Sequence, residues 1–128
     1  MAYYIVQSDG LEWDEYTNYP GRHRAALTES AGLRHTRANL IRHVAGSIGP
    51  RHIERTQDET FVPLHGTLTM YLGDPPTRYD VPVGAIAHVE AGTAQQMSNE
   101  TDEEILVFVY GAPTRHGNAA FLDDVETL

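Results

Sequence analysis

The residues best equipped for chemistry fall into two spaced sets. The first runs Gly46, five residues, His52, one residue, Glu54, four residues, Glu59, six residues, Gly66. The second runs Gly84, five residues, Glu90, one residue, Gly92, two residues, Gln95, three residues, Asn99. His52 and Glu54 are two apart, so on a strand both side chains point to one face. Glu59 follows after a turn, near enough to meet them from a neighbouring strand, and Gln95 arrives from a distant segment. Gly46, Gly66, Gly84 and Gly92 suit turns with positive φ or a close backbone approach. An imidazole beside carboxylates can work in two ways, as an acid–base pair or as part of the donor set for a divalent cation.

Something must bring these segments together, and the chain offers strands. Tyr3–Val6 reads as an opening strand. From Arg34 to Val44 the sequence alternates, with Thr36, Ala38, Leu40, Arg42 and Val44 on one face and Arg37, Asn39, Ile41 and His43 on the other. That is the period of a strand. Further strands fit Glu59–Leu64, Thr67–Leu72, Ala85–Val89 and Ile105–Tyr110. Gly73-Asp74-Pro75-Pro76, Pro82-Val83-Gly84 and Ala91-Gly92-Thr93 between them are turn chemistry. The best helical candidate is short, near Arg24–Ser30. Many short strands with Gly and Pro turns indicate a β-sandwich or barrel, and a small barrel can hold one small ligand inside.

Composition narrows the function. The chain of 128 residues is one domain's worth of sequence. It has no cysteine, which excludes disulfides, thiolate metal sites and cysteine nucleophiles. All nine basic residues are arginine, so Schiff-base and phosphate-loop lysine chemistry are absent. A net charge of −9 argues against nucleic acid and anionic membranes as partners. The lysine-free, acidic balance suits either a salty cytoplasm or a GC-rich genome. No apolar run approaches the roughly 20 residues of a spanning helix. The start lacks the basic, apolar character of a signal peptide, so a cytoplasmic protein is expected.

The two spaced sets resemble the paired motifs of the cupin family, G-x5-H-x-H-x3-4-E-x6-G and G-x5-P-x-G-x2-H-x3-N. The resemblance covers residues 46–99 directly and extends through flanking strands to about 34–112. It implies an all-β, single-domain double-stranded β-helix, the cupin or jelly-roll barrel. Residues 1–33 would then form an N-terminal extension with strands, 34–112 the barrel core and 113–128 a C-terminal tail, in which Phe121, Leu122, Val125 and Leu128 could dock. Cupins are commonly dimeric, so a homodimer through a sheet edge or the N-terminal strand is expected.

Many cupins hold Fe, Mn, Ni or Zn with three His and one Glu. By position, His52 matches the first ligand His, Glu59 the ligand Glu, Glu54 the second His and Gln95 the third. Two imidazoles are thus replaced, and Glu90 stands for the motif Pro. An amide oxygen is a weaker donor that suits harder cations. The resemblance implies His52, Glu54, Glu59 and Gln95 as metal ligands for Mn, Fe, Zn or Ni, with His52, Glu54 and Glu59 catalytic. A metal is favoured because two carboxylates and a His converging without one would repel or take up a proton. His43, His65, His88 and Tyr110 are further candidates for the pocket, while His23, His35 and His116 read as surface residues. Arg37, Arg42 and Arg51 could steer an anion, but each reads more simply as solvated charge.

The leading expectation is a small-molecule enzyme of isomerase, cyclase or lyase type. The imidazole-poor set fits the dioxygenase alternative less well. A metal-free acid–base enzyme, as in sugar epimerases of this fold, and a non-catalytic ligand-binding module are the other readings.

Overall fold

A computed structural model describes residues 2–114 and 119–125. Two antiparallel sheets face each other. Six strands form the first: β1 (Asp14–Glu15), β2 (Arg22–Ala26), β3 (Arg37–His43), β5 (Asp58–His65), β8 (Ala87–Val89) and β10 (Ile105–Ala112), in the order β1-β2-β3-β10-β5-β8. The second has five: β4 (His52–Ile53), β6 (Leu68–Leu72), β7 (Thr77–Val81), β9 (Ala94–Ser98) and β11 (Ala120–Phe121), in the order β11-β4-β9-β6-β7. The described residues contain no α-helix, only a 3-10 turn at Ser8–Gly10. Among the described residues no helix is long and apolar enough to cross a membrane.

Strand β10 explains how the layers are held. Ile105, Val107 and Val109 are buried between the sheets, where they join Phe61, Met70 and Met97 in the main core. The alternate residues Leu106, Phe108 and Tyr110 face the other way. They pack, with Ala38 and Leu40, beneath Val6, Leu11 and Trp13 of the N-terminal segment. One strand with period-2 alternation therefore serves two apolar clusters, because its outer face is covered as well.

The four motif glycines, Gly46, Gly66, Gly84 and Gly92, all have positive φ. The requirement is strictest at Gly66, where the chain leaves one sheet for the other at φ 75°. A Cβ there would lie 2.6 Å from Ile105 Cγ2.

Two local expectations are corrected. Tyr3–Val6 pairs with no strand, and Tyr3 and Ile5 are exposed. Arg24–Ser30 is not helical: Arg22–Ala26 is β2, paired with β3, followed by turns. Pairing along a full strand overrides the weak helical preference of two alanines. Strands β7 and β9 escaped the sequence reading, the second because Ala94-Gln95-Gln96-Met97-Ser98 is polar yet buried throughout.

Candidate functional site

His52 opens β4, a two-residue strand whose register places it opposite Gln95 of β9. Glu54 follows immediately after the strand. Glu59 is the second residue of β5, and β5 pairs with β10 and β8, not with β4. Glu59 therefore reaches the others across the interior from the facing sheet, where a neighbouring strand was expected. The ligand-type atoms of His52, Glu54 and Glu59 all lie within 4.8 Å of one another.

His52 Nε2 is 3.3 Å from Glu54 Oε1 and 3.7 Å from Glu59 Oε1. Its other nitrogen, Nδ1, faces the Pro50 carbonyl oxygen at 3.2 Å. A carbonyl can only accept, so Nδ1 carries a proton and Nε2 is the atom turned to the carboxylates. A neutral imidazole would then aim a lone pair at two anions. Burial opposes charging the ring, but Glu54 and Glu59, helped by the Pro50 carbonyl, outweigh it and raise the His52 pKa to about 9. Nε2 thus calls for a cation, either a proton or a metal.

Gln95 is buried and donates from Nε2 to Glu59 Oε1 at 2.8 Å. Its Oε1 is buried without a partner among the described residues. Exchanging the two ends of the amide would set that oxygen against a carboxylate, which is repulsive unless a cation lies between them. The donor set suits a divalent ion. Metal bonds of about 2.0–2.2 Å to nitrogen and oxygen place neighbouring donors about 3–3.5 Å apart. The separations around Nε2 are 3.3 and 3.7 Å.

The cluster lines a cavity of about 580 Å³, within the range of small-molecule sites. Its walls come from both sheets and include Arg22, Arg24, Arg37, Asn39, Phe61 and Met97. Tyr16 to Tyr19 and Phe121 border it as well. The Phe121 ring lies 6.1 Å from that of His52.

The further candidates lie elsewhere. His43 is fully buried in β3, with Nδ1 2.9 Å from Ser47 Oγ and Nε2 accepting from Arg22 Nε at 3.3 Å. Ser47 donates its own hydroxyl proton to the Val44 carbonyl, so His43 is neutral with its proton on Nδ1. His65 shares sequence parity with Glu59, but the register of β5 against β10 shifts between Leu106 and Val107. Pro63 stands opposite inward Val107, while His65 stands opposite outward Leu106. The bulge has turned His65 to the outer face. His88 is half-exposed and bonds Thr60 Oγ1 at 2.8 Å. Tyr110 packs beside Phe108 on the outer face of β10. None of the four lines the cavity.

Arg42 stacks on Trp13 and pairs with Glu104. Arg51 is not solvated charge: it is buried and holds the Asp123 and Gly73 carbonyls. Arg37 lines the cavity and donates to Gln57 Oε1 at 2.6 Å. His23 is half-buried and His35 is exposed, while His116 and Leu128 lie outside the described residues. Arg22, Arg24 and Tyr16 were missed because their segment read as a short helix or was left unassigned. Strand parity between positions 22 and 24 was the available signal.

No family model and no curated protein matches the sequence. Solved structures do. A sugar phosphate isomerase from a cupin superfamily, from Silicibacter pomeroyi, superposes with a TM-score of 0.81 at 25% identity, covering 94% of this chain and 82% of that one. The chain has the cupin fold. The polyketide cyclase RemF from Streptomyces resistomycificus superposes on this cupin barrel at 0.80 and 13% identity, covering 95% and 87% of the two chains. KdgF from a Halomonas species superposes at 0.72 and 18%, covering 89% and 96%. Within the cupin barrel, the glycines, His52, Glu59 and Asn99 stand where the motif pattern has them. Asn99 is fully buried and ties the His43 and Glu103 carbonyls together.

Proposed function

We propose that this cupin is a small-molecule enzyme of isomerase, cyclase or lyase type. A divalent metal would be held by His52, Glu54 and Glu59, with Gln95 fixing Glu59 through its amide nitrogen. The observation that carries the reading is the meeting of three donors from both sheets on a cavity wall, with Nδ1 of His52 committed to a carbonyl. A backbone acceptor on the far nitrogen is the usual support for a metal-ligating imidazole. The likeness to a sugar phosphate isomerase and a polyketide cyclase supports reactions that move protons on oxygenated substrates.

A divalent ion bound there supplies a Lewis acid for a substrate oxygen. The chain's own groups do the rest. Glu59 is buried and restrained by Gln95, which suits a fixed anion. Glu54, on the cavity wall, takes the role of base: it accepts a proton from a hydroxyl-bearing carbon beside a carbonyl and returns it to the carbonyl carbon, while the hydroxyl proton passes to the former carbonyl oxygen, which leaves the carbonyl transposed. The apolar Phe61, Met97 and Phe121 limit water at the reacting atoms.

The test is a titration of tag-free protein with Mn²⁺ or Zn²⁺. One ion per chain, lost in Glu59→Gln, supports the reading; substoichiometric metal that the substitution leaves unchanged overturns it. A second reading rests on the existing imidazolium–carboxylate contacts, which already form an acid–base pair without a metal. Turnover that survives exhaustive chelation but is lost in His52→Ala would favour that version. A homodimer in the cytoplasm remains the expected setting. Exposed Val83 and Ile86 beside edge strand β8 support pairing through a sheet edge, and sedimentation of Ile86→Asp checks it.

A further inference from the structure

The geometry points to a phosphate-binding subsite at Arg22 and Arg24, with Arg37 on the same cavity wall, so that the substrate is a phosphate monoester. This rests on the cavity being the active site. Arg22 is buried, and the groups in direct contact with it are uncharged, the Glu59 carboxylate acting on it only from a distance. Nε donates to His43 Nε2 at 3.3 Å, Nη2 approaches Met97 Sδ at 3.8 Å, and the guanidinium carbon stands 4.1 Å from the centre of the Tyr16 ring. Among the described residues no carboxylate lies within ion-pairing distance of Arg22, Arg24 or Arg37. Arg42, Arg51 and Arg78, by contrast, each have one, at 3.7, 3.5 and 3.3 Å.

That pattern is unexpected in a chain with 18 acidic and 9 basic residues. A buried guanidinium without a counter-ion in contact is costly: burial holds the Arg22 pKa below the usual arginine value, and Tyr16 and the more distant Glu59 offset this only in part. His43 adds to the arrangement: neutral, with its proton on Nδ1, it accepts from Nε and fixes the guanidinium. Arg24, two residues along β2, places its guanidinium 5.7 Å from the same Tyr16 ring. Two cations at one ring repel each other unless an anion joins them, and a phosphate dianion offers enough charge and enough oxygens for two forks. Glu54 and Glu59 repel that same group. The phosphate is thereby sent to the arginine wall, while the uncharged, oxygenated end of the substrate faces His52.

The experiment uses the full chain, kept metal-free by chelation so that binding at the arginines is read apart from binding at the carboxylates. Inorganic phosphate and acetate are titrated separately and followed by calorimetry and by arginine side-chain NMR. Phosphate should saturate one site and shift the Arg22 Nε–H signal. Arg24→Gln, at an exposed position, should weaken binding about tenfold or more, and Arg42→Gln on the outer face should not. Acetate binding as tightly as phosphate would overturn the phosphate assignment. No saturable binding, or equal binding by Arg24→Gln, would overturn the subsite while leaving the metal titration to decide the catalytic reading by itself.

Discussion

His43 ties acid stability to a single buried ring. Burial and the neighbouring Arg22 guanidinium hold its pKa down to about 3, against 6.5 for a free histidine. His23 also opposes the charge, while Ser47 is its neutral partner. Because the folded value is the lower one, its contribution is present above about pH 6.5 and is lost progressively as pH falls towards 3. Over that window the group adds a slope of up to about 1.4 kcal/mol per pH unit. Urea unfolding of wild type and His43→Gln across pH 3–8 isolates it: the two stability curves should converge as the pH falls. Parallel curves would show that His43 does not stay neutral in the folded chain. At the same scale, Gln95→Leu removes the donor on Glu59 and should weaken Mn²⁺ binding about 10- to 100-fold, the usual effect of losing a partner behind a ligand; calorimetry reads it directly. The candidate cluster was legible because His52, Glu54, Glu59 and Gln95 carry unusual side chains at recognisable spacing. Arg22 was not, since a guanidinium's burial, with no carboxylate in ion-pairing contact among the described residues, exists only once β2 is laid against β3.

Elements were legible in proportion to their alternation. Arg37–His43 and Ile105–Ala112 bury opposite sets of residues on two faces, and both stood out. The Gln95–Gln96 strand did not, because the partners of its side-chain amide nitrogens are Glu59, the Gly49 carbonyl and Asp124, none of them local. His65 failed for a subtler reason: strict parity predicts its face only while no bulge intervenes. The turns obey simpler rules. Gly66→Ala would combine a positive φ with a Cβ 2.6 Å from Ile105 Cγ2. Its cost should be about 2–4 kcal/mol, read as a lowered urea midpoint with an unchanged slope. Gly10→Ala, with no atom near its Cβ, is the matched control. Equal stability of the two variants would mean that the corner between the sheets relaxes freely.

At the scale of the whole molecule, charge is distributed unevenly. The chain carries −9 in total, yet its cavity is lined by Arg22, Arg24 and Arg37 as well as by Glu54 and Glu59. The excess negative charge should oppose the compact state at low ionic strength. Raising NaCl from about 0.01 to 0.5 M, which shortens the screening length from about 30 Å to a few ångströms, should therefore raise the melting temperature. A falling melting temperature would place the dominant electrostatics in attractive pairs instead. The polar cavity between two sheets also explains why the fold tolerates buried Glu59 and Gln95: each is held by the other, and the remaining charge faces His52.

The proposed chemistry depends on His52, Glu54 and Glu59 sharing one cation. Anomalous diffraction from crystals of the tag-free protein grown with Mn²⁺ tests this most directly. A single peak bonded to His52 Nε2 and to oxygens of both carboxylates, at about 2.0–2.3 Å, is the predicted result. No peak there at millimolar Mn²⁺, or one elsewhere on the acidic surface, would contradict it.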